Sequence, residues 1–248
     1  STGLTAYFAS KTPVTGTVQE QGQLFQINLS DYLDSGLFFD HRQLRSIVRE
    51  TASGKSVLNL FCYTGSFSVY AAEGKAKRVE SVDLSNTYLA WAKKNMELNG
   101  FDVPHTTVNE EKYIFTRADV TGFLNQKNAE VPHKNENGKI DGTNRFDIII
   151  LDPPTFSNSK KTLSTLDINR DWQDLVNKCV SLLNPKGVLY FSTNSRRLSF
   201  DEKLISQSRD DGCTVKAEDI TESTIPEDYK STKIHRCWKI TALPPSKT

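Results

Sequence analysis

The stretch SVLNLFCYTGSFSVYAA, residues 56–72, contains the clearest structural pattern of this chain. Its apolar start, residues 56–58, is typical of a short buried strand, and residues 67–72 have the composition of a helix. The sequence therefore predicts a strand, a tight turn at Gly65 and a helix. Such a turn directs backbone N–H groups toward a ligand above the strand end, and Gly65 allows close approach. A single glycine falls short of a GxGxxG fingerprint, so the turn alone identifies no ligand.

The same alternation of strand and helix continues along the chain. Five or more such units predict an α/β fold of the Rossmann-like, doubly wound kind, with a mainly parallel sheet. Further strands are predicted at residues 78–83, 112–116, 146–151, 188–192, 213–220 and 235–241, and helices at 42–50, 86–99, 167–183 and 200–209, with a short one ending at Leu124.

The first residues differ from the rest. Residues 17–20 and 24–29 alternate apolar and polar side chains on both sides of Gly22, which indicates a hairpin. We therefore expect a small β appendage over 1–36 and one large domain over 37–248. Within that domain, residues 126–145 are nearly devoid of apolar side chains and are expected to form a surface insertion. The chain does not begin with Met, so we expect it to be a piece of a longer polypeptide.

Composition excludes several classes of function. The formal net charge of the 248 residues is +1, so no overall field attracts nucleic acid, and any RNA contact must come from local clusters. The four cysteines form no CxxC pair, which favours a cytoplasmic protein without a zinc site or disulfides. No metal site and no membrane segment are predicted.

Acidic side chains follow three of the predicted strands, where doubly wound sheets bind their ligands. Asp83 follows the glycine turn by roughly 20 residues, a position from which a carboxylate can accept hydrogen bonds from two ribose hydroxyls. Asp119 follows the next strand and can accept from an exocyclic amine such as that of adenine. Capping of the following helix explains Asp83 and Asp119 as well as ligand binding does. The fifth strand ends in the polar run 192–194.

The third acidic position, Asp152, begins the sharpest motif. Pro153 and Pro154 directly follow a strongly apolar strand and fix a rigid turn, because proline supports neither a helix nor a sheet ladder. A fixed carboxylate and carbonyl groups beside the ring of Phe156 form a slot for a flat polar heterocycle. We predict that these four residues form the catalytic site.

Three motifs now resemble those of class I S-adenosylmethionine-dependent methyltransferases that act on RNA: residues 59–65, 81–85 and 151–156. Within that group, residues 31–42, 157–160 and 234–238 look like the RlmK branch, which makes N7-methylguanosine in bacterial 23S ribosomal RNA. The likeness covers most of residues 17–242 and implies a seven-stranded methyltransferase sheet. The RlmK unit is often the carboxyl-terminal half of a fused protein, which implies a further methyltransferase or RNA-binding domain upstream.

The resemblance also implies roles for individual residues. The donor S-adenosylmethionine would contact the turn with its methionine part, Asp83 with its ribose and Asp119 with its adenine, while residues 152–156 would hold the target base. The donor-binding set implied in this way is Phe39, Asp40, Arg42, Asn59, Phe61, Cys62, Tyr63, Thr64, Gly65, Asp83, Leu84, Ser85, Asp119, Val120 and Asp152.

The reaction that the resemblance implies needs few catalytic groups. Guanine N7 has a lone pair and no proton, so the enzyme must align the reactants and stabilise positive charge without a general base. This predicts a rate nearly independent of pH around neutrality. Cytosine C5 methylation needs a nucleophilic cysteine, and the expected positions hold Thr155 and residues 192–194; Cys237 keeps this reaction open. Methylation of an exocyclic amine also stays open, as does a role in ribosome assembly for an RNA-binding protein with a vestigial donor site.

Candidate RNA contacts lie near the predicted rim. They are Lys160, Lys161, Arg196, Arg197 and Arg236, with Lys230, Lys233 and His235 near the last strand. Either phosphate binding or simple solvation explains such clusters. Trp172 and Trp238 are expected in the core. His41 has no partner that the sequence identifies, so we expect a surface or structural residue.

Overall fold

The structure, a computed structural model, describes residues 13–31, 34–103, 112–130, 144–157, 165–205, 209, 211–231 and 233–245. Its strands are β1 (Thr15–Glu20), β2 (Gln23–Asn28), β3 (Ser56–Leu60), β4 (Arg78–Asp83), β5 (Tyr113–Arg117), β6 (Phe146–Leu151), β7 (Phe156–Ser157), β8 (Leu166–Asp167), β9 (Leu183–Thr193), β10 (Thr214–Asp219) and β11 (Arg236–Leu243). Its helices are α1 (Arg42–Thr51), α2 (Ser66–Glu73), α3 (Asn86–Leu98), α4 (Val120–Ala129), α5 (Ile168–Ser181) and α6 (Thr221–Thr224), and 3₁₀ turns span Phe39–His41 and Glu202–Leu204.

Seven strands form the central sheet in the order β10-β11-β9-β6-β3-β4-β5. The pairs from β9 to β5 are parallel, whereas β11 is antiparallel to both of its neighbours. The strand order reverses between β3 and β6, which places a ligand crevice at the carboxyl ends of these two strands. The predicted doubly wound, mainly parallel, seven-stranded fold is confirmed.

Both faces of the sheet are buried, as expected for parallel strands between layers of helices. Alternate residues of β6 enter opposite cores: Ile149 packs with residues of α4 and α5, and Ile150 packs with residues of α1, α2 and α3. Trp172 and Trp238 are buried, so their predicted place in the core is confirmed. No helix in the described ranges is both long and apolar enough to cross a bilayer.

Three predicted elements differ from the structure. The helix predicted at 200–209 is wrong in its described part, which contains only the 3₁₀ turn Glu202–Leu204, because Leu204 is exposed and the segment lacks a continuous apolar face. Strand β9 begins at Leu183 and includes the Asn-Pro-Lys-Gly run as an irregularity, with Lys186 at a φ of 67°. Helix α4 continues to Ala129, so the first residues of the predicted insertion are helical, and residues 131–143 lie outside the described chain.

Strands β1 and β2 form the predicted hairpin, which turns at Gln21 and Gly22 with φ values of 50° and 95°. Positive φ at both central residues suits the twist of a two-residue hairpin. The hairpin packs on the large domain: Phe25 is buried in its core, and the Asn95 side chain of α3 accepts from the Gln26 N–H at 2.8 Å. The boundary between residues 36 and 37 stays a prediction.

Candidate active site

A cleft of about 850 Å³ lies beyond the carboxyl ends of β3, β4, β5 and β6. Its volume is in the range of small-molecule sites. Every predicted strand end contributes to its lining, which includes Cys62, Asp83, Asp119, Asp152 and Asn194. The lining also contains Asp40, Phe61, Tyr63, Leu84, Ser85, Val120, Pro153 and Pro154 from the predicted site. The residues at the ends of the predicted strands therefore do meet at one cleft.

The turn after β3 has an unusual backbone. Phe61, Tyr63 and Gly65 have φ values of 53°, 50° and 74°. Gly65 is required here, because a Cβ atom at this position would lie 2.7 Å from the Cβ of Ala92 on α3. The close packing of turn against helix places the start of α2 at the floor of the cleft.

Asp83 holds this turn in place from the end of β4. Its Oδ2 accepts a hydrogen bond from the Tyr63 N–H at 3.0 Å, and its Oδ1 accepts from the Ser85 N–H at 2.9 Å. Burial raises the pKa of Asp83, and the backbone donors at Ser85 and Tyr63 oppose this shift. Each carboxylate oxygen keeps one lone pair for a further donor, so two hydroxyl groups fit. This desolvated carboxylate suits the ribose of S-adenosylmethionine.

Asp119 serves as the N-cap of α4, because its Oδ2 accepts from the Gly122 N–H at 3.0 Å. It also lines the cleft, as do Val120 and Leu84, whose apolar side chains suit the faces of a flat ring. Ser85 caps α3 by accepting from the Tyr88 N–H at 3.3 Å. Asp119 and Ser85 thus each cap a helix and also line the cleft.

The loop before α1 folds onto the turn. The Thr64 hydroxyl donates to the Gly36 carbonyl at 2.6 Å, and a Cβ at Gly36 (φ 99°) would lie 2.3 Å from the ring of Trp91. This docking brings the Phe38 ring to 5.4 Å from that of Tyr63 and Asp40 into the cleft wall. Glycine is the residue that permits both the backbone conformation and the close contact.

Several residues of the predicted donor set do not line this cleft. Phe39 is exposed, and Arg42 forms an ion pair with Asp228. Asn59 is buried and donates to the Ser68 hydroxyl at 2.9 Å. Thr64 and Gly65 act through the turn geometry. Their predicted contact with the donor stays a prediction.

Asp152 is the acidic group at the end of β6. Its Oδ1 accepts from the Ser192 hydroxyl, and its Oδ2 lies 3.2 Å from Nδ1 of His41. Burial disfavours the charged form, but His41 and the Ser192 hydrogen bond lower the pKa of Asp152 overall. Pro153 and Pro154 continue the wall, and Phe156, 59% exposed on β7, stands outside the lining with its ring free to contact a ligand.

Two histidines require a correction. Of the surface or structural role predicted for His41, the surface position is wrong, because this residue is buried, lines the cleft and pairs with Asp152. His235 is predicted among the RNA contacts, but it is buried and its Nδ1 lies 3.0 Å from Asp40. Both pairs join side chains that are far apart in the chain, and no local spacing pattern marks them.

The RNA candidates fall into three groups. Arg196 and Arg197 are exposed, directly after β9 and close to Asn194 of the cleft. Arg236 donates to the Leu198 carbonyl at 2.9 Å and stacks over Trp238, so part of its guanidinium is already engaged. Lys160 and Lys161 lie outside the described residues.

The cysteines near the site are not activated. All four cysteines of the chain are buried and free of disulfides. Burial and the Asp83 charge raise the pKa of Cys62, and burial and the Asp152 charge raise that of Cys237. A nucleophilic cysteine needs the opposite shift.

The chain matches a family model described as S-adenosylmethionine-dependent methyltransferase over residues 5–119. Its structure superposes on SMU.776, crystallised in complex with SAH, with a TM-score of 0.72 and 25% identity over 94% of this chain and 57% of that one. A SAM-dependent methyltransferase from Agrobacterium tumefaciens has the same fold, with a TM-score of 0.67 and 21% identity over 93% and 70% of the two chains. The chain is therefore similar to S-adenosylmethionine-dependent methyltransferases, in sequence over residues 5–119 and in fold over most of its length, and the predicted donor is confirmed.

Two relatives indicate which branch of methyltransferases the chain resembles. The chain is 48% identical over 223 residues to ribosomal RNA large subunit methyltransferase K of Neisseria meningitidis serogroup B, a match that spans 90% of the chain and 56% of that protein. It is 44% identical over 225 residues to ribosomal RNA large subunit methyltransferase K/L of Magnetococcus marinus, spanning 90% and 28%. The predicted resemblance to the RlmK branch is confirmed, and the chain spans only part of these relatives.

Proposed function

We propose that this chain transfers a methyl group from S-adenosylmethionine to N7 of a guanine in 23S ribosomal RNA. The observation that carries the proposal is Asp152: a carboxylate that lines the cleft, is followed by two prolines and has a lowered pKa, which favours its ionised form. The large-subunit RNA is supported by the names of the K and K/L relatives, and the N7 atom by the RlmK-like motifs at residues 31–42, 157–160 and 234–238.

The donor, when bound, supplies a methyl group activated by a sulfonium sulfur. Asp83 would hold the ribose, Asp119 the adenine, and the turn at 61–65 the methionine part. Pro153 and Pro154 would set the height of the base slot, with Phe156 stacking on the base. The donor and base sites then share one cleft, which supplies the alignment on which the rate depends.

Asp152 stabilises the charge that the reaction creates. The N7 lone pair forms the new N–C bond while the sulfonium C–S bond breaks, so the purine gains positive charge and no proton has to leave. A carboxylate held in its ionised form beside the ring lowers the energy of that state. No covalent intermediate is required, which fits the raised pKa values of Cys62 and Cys237.

The test is incubation of the chain with labelled S-adenosylmethionine and unmodified large-subunit RNA, followed by nucleoside digestion and mass identification. We expect 7-methylguanosine, reduced about 100-fold or more in Asp152→Ala because the charge-stabilising group is lost. Asp102→Ala is the matched control, since Asp102 is exposed and outside the cleft lining, and it should leave the yield unchanged.

Different products would reject the proposal in different ways. A 5-methylcytidine peak would assign the chemistry to a cysteine, and a methylated exocyclic amine would keep the site but change the target atom. Donor binding without any RNA product would favour an assembly factor. Two further assays then distinguish a missing domain from a missing activity. One uses longer chains that include the expected upstream domain, and the other uses assembly particles in place of free RNA. The cytoplasmic location stays a prediction.

A further inference from the structure

A row of buried polar contacts connects the surface helix α6 with the base side of the cleft. The Thr224 hydroxyl lies 3.0 Å from Nε2 of His235, whose Nδ1 lies 3.0 Å from Oδ2 of Asp40. The same Asp40 oxygen is 3.6 Å from Nε2 of His41, and Nδ1 of His41 is 3.2 Å from Oδ2 of Asp152. His41 therefore stands between two carboxylates.

We propose that His41 is a positioning residue for methyl transfer, whose imidazolium holds the Asp152 carboxylate in the orientation that faces the target base. The assignment rests on the proposed function. His41 does not touch the reacting atoms in this scheme; it acts through Asp152. Asp40 and His235, in turn, hold the far side of the ring.

The position of His41 between two carboxylates favours a charged ring. Neutral imidazole has one donor and one acceptor nitrogen, whereas both nitrogens of His41 face acceptor oxygens. The doubly protonated ring alone can donate toward Asp152 and Asp40 together. The Nε2 contact with Asp40 is longer than a hydrogen bond at 3.6 Å, so the shorter contact with Asp152 is the dominant one.

The charges around the ring favour this form. Burial opposes it, Asp152 and Asp40 favour it, and Arg45 of α1 disfavours it; the pKa of His41 is raised overall above its ordinary 6.5. The His235 ring packs edge-on at 4.6 Å from that of His41, with its own Nδ1 directed to Asp40.

This arrangement changes the expected pH profile. The N7 chemistry alone predicts a rate that is flat near neutrality. Loss of the His41 proton would release Asp152, so the rate should fall on the alkaline side, as the pH rises through the raised pKa of His41.

Two substitutions separate the two nitrogens of the ring. The amide nitrogen of asparagine can take the place of Nδ1, and that of glutamine the place of Nε2. His41→Asn keeps a donor for Asp152 without a titrating charge, whereas His41→Gln keeps only the side toward Asp40. We expect kcat to fall roughly 10- to 100-fold in His41→Gln, with the KM for the donor unchanged, and to fall less in His41→Asn. The alkaline loss of rate should be absent from His41→Asn. Equal kcat in the two variants, or an alkaline loss of rate that persists in His41→Asn, would overturn the proposal.

A second measurement needs no substrate. In an NMR titration, the His41 ring protons of the unmodified chain should change at a pH above the ordinary value, and Asp152→Asn should move this midpoint down. A midpoint at or below the ordinary value, insensitive to Asp152→Asn, would contradict the proposed ion pair even if the His41 variants failed to fold. If the product is not 7-methylguanosine, the proposed function fails, but the rates of that product and the titration still test His41.

Discussion

Asp83 closes the turn after β3, and it is the carboxylate to which we assign the ribose of the donor. Its hydrogen bonds to the N–H groups of Tyr63 and Ser85 fix the direction of both oxygens before any ligand arrives. Preorganisation of this kind lowers the entropic cost of binding. Donor affinity should therefore depend strongly on this side chain.

We expect Asp83→Asn to weaken binding of S-adenosylmethionine by about 10- to 100-fold. Hydrogen bonds to a charged acceptor contribute roughly 1.5–3 kcal/mol, and the amide also replaces one acceptor oxygen with a donor. Isothermal titration calorimetry measures the affinity, and thermal unfolding separates lost binding from a loosened turn. Asp102→Asn, an exposed acidic residue outside the cleft lining, is the matched control. Equal affinities of the two variants would contradict a ribose contact.

The same residue gives a pH test. Because burial raises the pKa of Asp83 above its ordinary 3.8, the carboxylate takes up a proton at a higher pH than an exposed one. The donor hydroxyls bind the ionised form, so donor affinity should decrease as the pH falls through that raised pKa. In Asp83→Asn this part of the pH dependence should disappear.

Sequence patterns found the acidic strand ends but missed the histidines. Asp83, Asp119 and Asp152 each follow a recognisable strand, and a parallel sheet brings such ends together at one edge. His41 and His235 acquire their environment from contacts across the whole fold, such as the 195-residue separation between Asp40 and His235. Local periodicity holds no information about such pairs.

At the scale of elements, a buried ion pair joins the hairpin to helix α1. Arg45 is fully buried and donates to both oxygens of Glu20, at 2.9 and 2.8 Å. It also donates to the Phe38 carbonyl at 2.9 Å, and the Tyr70 hydroxyl donates to Glu20 at 2.9 Å. The hairpin thus holds the loop that forms one wall of the cleft.

We expect Glu20→Ala to destabilise the chain by about 3–5 kcal/mol, because it leaves the buried Arg45 charge without its carboxylate. Urea unfolding measures the loss. Glu50→Ala, on the same helix as Arg45, is the control; Glu50 is exposed, so its replacement should change the free energy of unfolding by no more than about 0.5 kcal/mol. A similar small change in both variants would show that the hairpin is not held by this pair.

Hydrophobic periodicity and composition predicted most helices and strands because the strands of the sheet are buried and bounded by turn residues. The residues between 200 and 209 show the limit of this reasoning. The helix predicted there is wrong in its described part. Of the described apolar side chains in and just before it, Leu198 and Ile205 are buried and Phe200 is partly buried, which is too few for a continuous apolar face. In the described residues 200–205, the Gln173 and Asn177 side chains of α5 donate to the Leu204 carbonyl, so a tertiary contact engages a group that a longer helix would pair within itself.

At the scale of the whole molecule, a net charge of +1 means that RNA binding must depend on where the cations are. Arg196 and Arg197 are exposed at the carboxyl end of β9, on the cleft side of the sheet, whereas Lys55 and Lys77 are exposed at the amino ends of β3 and β4. The sheet therefore separates two cationic pairs of equal charge. This separation supplies a control within the chain.

We expect the double substitution Arg196→Ala and Arg197→Ala to weaken binding to large-subunit RNA and to reduce the slope of log K against log salt by up to about 1.4, since each contact with a single-strand phosphate contributes about 0.7. The affinity for S-adenosylmethionine should not change, because neither arginine lines the donor side of the cleft. Fluorescence anisotropy over a salt series measures the slope. Replacement of Lys55 and Lys77 by alanine removes the same charge from the opposite edge and should leave the slope unchanged. If both pairs lower the slope equally, the RNA is attracted by total charge, and the rim above the strand ends has no special part in holding it.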